Sequence, residues 1–143
     1  MSKKPEKIID AQTQASWFSR VRDSHNMETA EDYVELIADL IAAKGEARLV
    51  DISERVGVSH TTANKVIARL QKEGFVISAP YRAIFLTETG IKLARECKKR
   101  HEVILEFLLK LGISRKNAEI DAEGIEHHVS TETLKAFEKF VKN

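Results

Sequence analysis

Between Leu49 and Leu86 the chain carries a pattern that few folds accept. Leu49–Val56 and Ser59–Lys72 are two short stretches with helical apolar spacing, separated by Gly57-Val58. Gly57 can take a left-handed turn without a Cβ penalty. Ser59 is placed to cap the second helix, whose buried side is Ala63, Val66, Ile67 and Leu70. Asp51 and Glu54 have capping-box spacing for the first, with Asp in place of the usual Ser or Thr. Gly74 ends the second helix. Two β-like stretches follow, Phe75-Val76-Ile77 and Ala83-Ile84-Phe85-Leu86, around a turn near Pro80. Helix, glycine turn, helix and a small hairpin make a winged helix-turn-helix.

Helices flank this unit. Tyr33, Val34, Ile37, Leu40 and Ile41 recur at three- and four-residue steps, which predicts a helix from near Glu28, capped by Thr29 and stopped by Gly45. A long helix is expected from Glu88 to Leu111, with Ile91, Ala94, Cys97, His101, Leu105 and Leu108 on one side. Ser114 caps a short helix, and Ser130 a last one with Leu134, Phe137, Phe140 and Val141 inward. The fold class is mainly α with a small β wing. The expected divisions are an N-terminal extension at 1–26, partly flexible, a winged helix-turn-helix at 27–88 and a helical unit at 89–143. Trp17, Phe18 and Val21 would share a helical face within the extension, either docked on the body or laid along a partner.

Composition narrows the functional classes. With a net charge of +1 over 143 residues, nucleic-acid binding must come from local clustering. The single cysteine, Cys97, excludes an intrachain disulfide framework and an all-cysteine metal site within one chain, and fits a reducing compartment. No membrane-spanning run and no signal-peptide core are present, so the expected location is the cytoplasm. No Ser-His-Asp or Cys-His set suggests catalysis, so neither an enzyme nor a small organic substrate is expected.

The second helix of a helix-turn-helix enters the major groove. With Ala63, Val66, Ile67 and Leu70 inward, Thr61, Asn64, Lys65 and Ala68 face outward, and His60 sits at the N-terminal end. Hydroxyls, an amide and an amine suit base edges and phosphates. The candidate DNA contacts are His60, Thr61, Thr62, Asn64, Lys65 and Arg69 on this helix, with Tyr81 and Arg82 at the wing tip.

The stretch Glu123-Gly124-Ile125-Glu126-His127-His128 carries the other chemistry. If helical, Glu123, Glu126 and His127 share a face. Two carboxylates and an imidazole there call for a cation, and a hard divalent metal is the natural one. Asp32 and Glu35 lie three apart beside the first buried stripe, and His101 shares a side with Ala94, Leu105 and Leu108. Four carboxylates and two histidines from three segments match two divalent cations. Oxygen-rich sites without thiolate or thioether suit Mn²⁺. A metal-independent winged-helix regulator or adaptor, with ordinary surface acids, is the competing reading.

Asp32-Tyr33-Val34-Glu35, the Val58-Ser59 turn and its helix, Arg100-His101-Glu102 and Glu123-Gly124-Ile125-Glu126-His127-His128 resemble the manganese-sensing branch of the diphtheria toxin repressor family. The resemblance covers about residues 27 to 141. It implies a homodimer with an N-terminal DNA-binding domain and a C-terminal helical dimerisation domain. It also implies a binuclear Mn²⁺ site between them, two ions per subunit, held by Asp32, Glu35, His101, Glu123, Glu126 and His127. Iron-sensing relatives have Met at the place of Asp32 and Cys at that of Glu123. The expected function is a Mn²⁺-activated repressor of manganese uptake genes, acting on a double-stranded operator and open to an activating role on efflux. Metal would tie the halves together and set the spacing of two recognition helices. The resemblance gives no role to the first 25 or so residues.

Overall fold

The computed structural model describes residues 5–143. It opens with a 34-residue helix, α1 (Ala11–Lys44), about 51 Å long at 1.5 Å per residue. Asp10 caps it through the Thr13 amide, and Gly45 closes it in the left-handed conformation at φ 82°. The sequence expectation of a start near Glu28 with Thr29 as N-cap is therefore corrected. No glycine or proline interrupts Ala11–Lys44, so the turns nucleated by the buried stripe continue back to the first good cap. Residues 11–26 are helical; residues 1–4 lie outside the described residues.

The short helices α2 (Leu49–Val56) and α3 (His60–Lys72) meet across Gly57, at φ 81°. Ser59 caps α3 through the Thr62 amide at 3.1 Å. The capping box expected at Asp51 does not form. α2 starts two residues earlier, after Arg48, and Asp51 sits in its first turn, 3.6 Å from the Lys44 ammonium. Strands β1 (Val76–Ile77) and β2 (Phe85–Leu86) pair antiparallel, Val76 with Leu86 and Ile77 with Phe85. An isolated bridge between Ala47 and Ile84 ties this wing to the end of α1. The wing tip turns through Tyr81 at φ 61°.

Ala30, Tyr33, Ile37 and Leu40 of α1 enclose one core with Ala47, Ile52, Ile67, Leu70, Val76 and Ile84. Thr87 caps α4 (Glu88–Lys110) and donates its hydroxyl to the Gly74 carbonyl at 2.6 Å. The cap fixes the long helix to the wing. α4 lies along α1 and carries α5 (Arg115–Ile125) and α6 (Thr131–Lys142), each capped by the expected serine. Phe107 stacks on Phe137 with ring centroids 3.9 Å apart and meets Phe140 edge-on. Phe140 itself is exposed, contrary to the inward placement expected from its spacing. Ile91 is likewise exposed, while Ile104 is fully buried.

Candidate functional site

The carboxylates and histidines singled out in the sequence gather where α1 crosses α4 and the end of α5. Glu126 is the centre. It follows the last residue of α5, is 1 % exposed, and has both carboxylate oxygens without a hydrogen-bond partner among the described residues. His101 Nδ1 lies 3.2 Å from Glu126 Oε2 and 3.5 Å from Glu123 Oε1, yet makes no aligned hydrogen bond. Such orphaned buried polar groups are rare in stable proteins. Lone pairs that converge without bonding one another have the arrangement of metal donors. His101, Glu123 and Glu126 form one group whose donor atoms all lie within 4.8 Å of each other.

Asp32 and His127 belong to a second such group, with Glu28. His127 Nε2 is 3.0 Å from Asp32 Oδ1, and its Nδ1 is 3.4 Å from Glu31 Oε2. Glu35 lies between the two groups, lining a 440 Å³ cleft with Asp32, Asp39, Arg55 and Glu123. All six expected ligands thus meet at one junction. α1 supplies Asp32 and Glu35, α4 supplies His101, and the α5 end supplies the others. The Glu126-His127 peptide falls in a turn beyond α5, so these two side chains leave the helix for the junction.

The electrostatics match a site built for cations. Burial, then the Glu123 and Glu35 carboxylates, push the Glu126 carboxyl up to about 9. Burial and the neighbouring Glu123, Asp39 and Asp32 carboxylates push Glu35 up to about 7. Burial alone would lower His127. Its contacts with Asp32 and Glu31 outweigh that and raise it to about 10. The upward shifts of Glu126 and His127 mark a junction with an excess of negative charge, and hard oxygen donors with two imidazoles fit a divalent metal such as Mn²⁺.

Sequence reasoning missed Glu31. It is buried, though its neighbour Asp32 is exposed, and it joins the Arg100 guanidinium, the Cys97 thiol and His127 Nδ1. Burial works against its charge, but His127 and Arg100 hold the carboxyl below its ordinary value. A histidine that donates one ring N–H to a carboxylate has its other nitrogen oriented for a metal. Glu31 therefore aims His127 Nε2 towards Asp32. Cys97 is buried, and burial pushes its thiol up to about 12, which makes it an inert packing group.

The outward face of α3 forms the second candidate site. His60, Thr61 and Asn64 line a 750 Å³ cleft with Tyr81 and Arg82 of the wing. Thr62, Lys65 and Arg69 are exposed but outside that lining. Thr62 is engaged by the Ser59 cap, and Arg69 lies 3.5 Å from Glu73. Gln71 has no local signal that marks it, yet its side-chain oxygen accepts the Ser78 N–H at 3.0 Å and holds the wing to α3.

Comparison with known proteins covers both halves of the chain. Residues 25–84 match the family model described as iron dependent repressor, N-terminal DNA binding domain. Residues 87–143 match iron dependent repressor, metal binding and dimerisation domain. The transcriptional regulator MntR of Salmonella typhimurium is 47% identical over 141 residues, 99% of this chain and 90% of that protein. The chain belongs to the iron-dependent repressor family, among its MntR transcriptional regulators. MntR of Escherichia coli O157:H7 is 46% identical over 99% of this chain and 91% of its own length. Among solved structures, a manganese-dependent transcriptional repressor in complex with manganese superposes with a TM-score of 0.71 at 28% identity, covering 79% of this chain. The manganese regulator SloR superposes at 0.70 and 26% identity. This chain spans about half the length of those two proteins, 52% and 53%. As a member of this family the chain is a metal-responsive, DNA-binding transcriptional regulator with a dimerisation domain. Among the described residues no helix is long and apolar enough to cross a membrane.

Proposed function

We propose that this MntR-like chain is a manganese-activated repressor in which two Mn²⁺ ions per subunit lock the DNA-binding half onto the dimerisation half. Asp32, Glu35, His101, Glu123, Glu126 and His127 hold the metals. The observation that carries the reading is Glu126, a buried carboxylate whose two oxygens have no hydrogen-bond partner among the described residues, Oε2 lying against His101 and Oε1 against His127. Bound metal supplies positive charge that cancels carboxylate repulsion across the junction. The chain's own residues do the rest. Asp32 and Glu35 carry the pull along α1 into the core beneath α2 and α3, and Glu31 keeps His127 aimed. In the dimer, the fixed junction sets the spacing of two α3 helices, which must match half-sites about 34–36 Å apart or a multiple of that.

On DNA, His60, Thr61, Asn64 and Lys65 reach base edges, and Thr62, Arg69, Tyr81 and Arg82 hold phosphates. The division between halves falls at residues 88–89, and residues 1–26 are an N-terminal extension, of which residues 11–26 are the first turns of α1. The protein acts in the cytoplasm as a regulator, not an enzyme, and manganese uptake genes are its targets. In purified protein, the Asp32→Ala, Glu126→Ala double variant should lose Mn²⁺-dependent binding to a fluorescent uptake-gene promoter fragment, measured by anisotropy at one salt concentration. Wild-type-like binding by that variant in the presence of chelator would favour a metal-independent regulator.

A further inference from the structure

Glu28 lies outside the six-residue ligand set, yet the fold brings it to the same junction. It sits four residues before Asp32, so the two side chains share one face of α1. Oxygens of Glu28 and Asp32 and a nitrogen of His127 all lie within 4.8 Å of one another. Like charges at this spacing repel and weaken a helix. Here the buried His127 ring faces both, which gives them a common target. Two further imidazoles flank Glu28. His25 Nδ1 is 3.0 Å from Glu28 Oε2, and His128 Nε2 is 3.9 Å from the same oxygen. The Glu28 side chain is only 28% exposed, so it is neither a free surface acid nor a fully satisfied core group.

We infer that Glu28 is a seventh protein ligand, completing the metal position formed by Asp32 and His127. The inference rests on the two-ion reading above. Mn²⁺ prefers octahedral, oxygen-rich coordination. Asp32 and His127 fill two places at this position, and Glu28 adds a third from the N-terminal side. His25 and His128 hold its carboxylate, as groups outside the coordination sphere orient ligands elsewhere. A metal held there would grip α1 one turn earlier than Asp32 alone allows and fix the C-terminal end of the segment that carries Trp17, Phe18 and Val21, all exposed.

The test is a titration of chelator-treated, full-length protein with Mn²⁺, read by the electron paramagnetic resonance of free Mn²⁺ and by calorimetry. Wild type should bind two ions per subunit. Glu28→Ala and Glu28→Gln should weaken one ion by about tenfold or more and leave the other unchanged. The ion lost should be the one lost in Asp32→Ala, not the one lost in His101→Ala. His25→Ala should weaken the same ion, by less than Glu28→Ala does. Unchanged metal-free melting temperatures for the Glu28 variants separate ligation from folding. Two ions at wild-type affinity in both Glu28 variants would overturn the inference and leave the two-ion reading intact. A single ion in wild type would sink the two-ion reading, and the role of Glu28 would then stand or fall on whether Glu28→Ala weakens that ion.

Discussion

Glu126 and His127 are adjacent in sequence and buried at the same junction, and their protons decide how the metal-free protein responds to pH. The carboxyl of Glu126 is raised from 4.5 to about 9, and the imidazole of His127 from 6.5 to about 10. A group raised on folding contributes stability below its unfolded value and loses it as pH climbs through its folded value. Both therefore act in one direction between pH 6 and pH 9.5. Differential scanning fluorimetry of chelator-treated protein should show a melting temperature lower at pH 9.5 than at pH 6 by about 5 °C or more. An equal or higher value at pH 9.5 would contradict this protonation scheme. Ligand hardness gives a second expectation. Glu123→Cys places a soft thiolate beside His101 and Glu126, so selectivity for Mn²⁺ over Fe²⁺ and Co²⁺ in DNA binding should fall. Strict Mn²⁺ activation in that variant would remove softness as the basis of selectivity. The six candidate ligands could be named from their chemistry and from the family resemblance, but only Glu123, Glu126 and His127 have a local spacing that by itself calls for a cation, and the meeting of the three segments appears in the fold alone. Glu31 could not be named, since its partners Cys97, Arg100 and His127 lie 66 to 96 residues away.

At the scale of elements, the contact between α4 and the wing is the tightest constraint. A Cβ added to Gly90 would stand 2.1 Å from the Phe75 carbonyl oxygen. Alanine would gain about 1 kcal/mol of helix propensity. That gain cannot offset a clash with backbone, where overpacking alone costs about 1–3 kcal/mol. Gly90→Ala should thus lower the melting temperature and weaken DNA binding even with saturating Mn²⁺. A variant as stable as wild type would show that α4 and the wing move independently. The short helices α2 and α3, the Ser59, Ser114 and Ser130 caps and the wing were readable because each has a local signal in a cap, a glycine or an apolar period. The start of α1 was not. Thr29 offers a plausible cap, but nothing in the sequence around it forces the helix to begin there. The bridge from Ala47 to Ile84 was equally hidden, because it joins residues 37 apart with no shared pattern.

For the whole molecule, the six proposed ligands are divided between the stretch that matches the DNA-binding model and the stretch that matches the dimerisation model. In the mechanism proposed above, a metal there would shift a population of relative orientations, by as much as its differential affinity for the two states. DNA must then tighten metal binding by the same factor that metal tightens DNA binding, with couplings of about 1–3 kcal/mol being typical. Net charge near zero makes general attraction to DNA weak, so the response depends on that fixed geometry. The most direct measurement is a titration of chelator-treated protein with Mn²⁺, then Fe²⁺, Co²⁺ and Zn²⁺, read as binding to a fluorescent uptake-gene promoter fragment at constant salt. Binding that appears only with metal, and most fully with Mn²⁺, is the predicted result; equally tight binding with chelator and no metal would contradict the account.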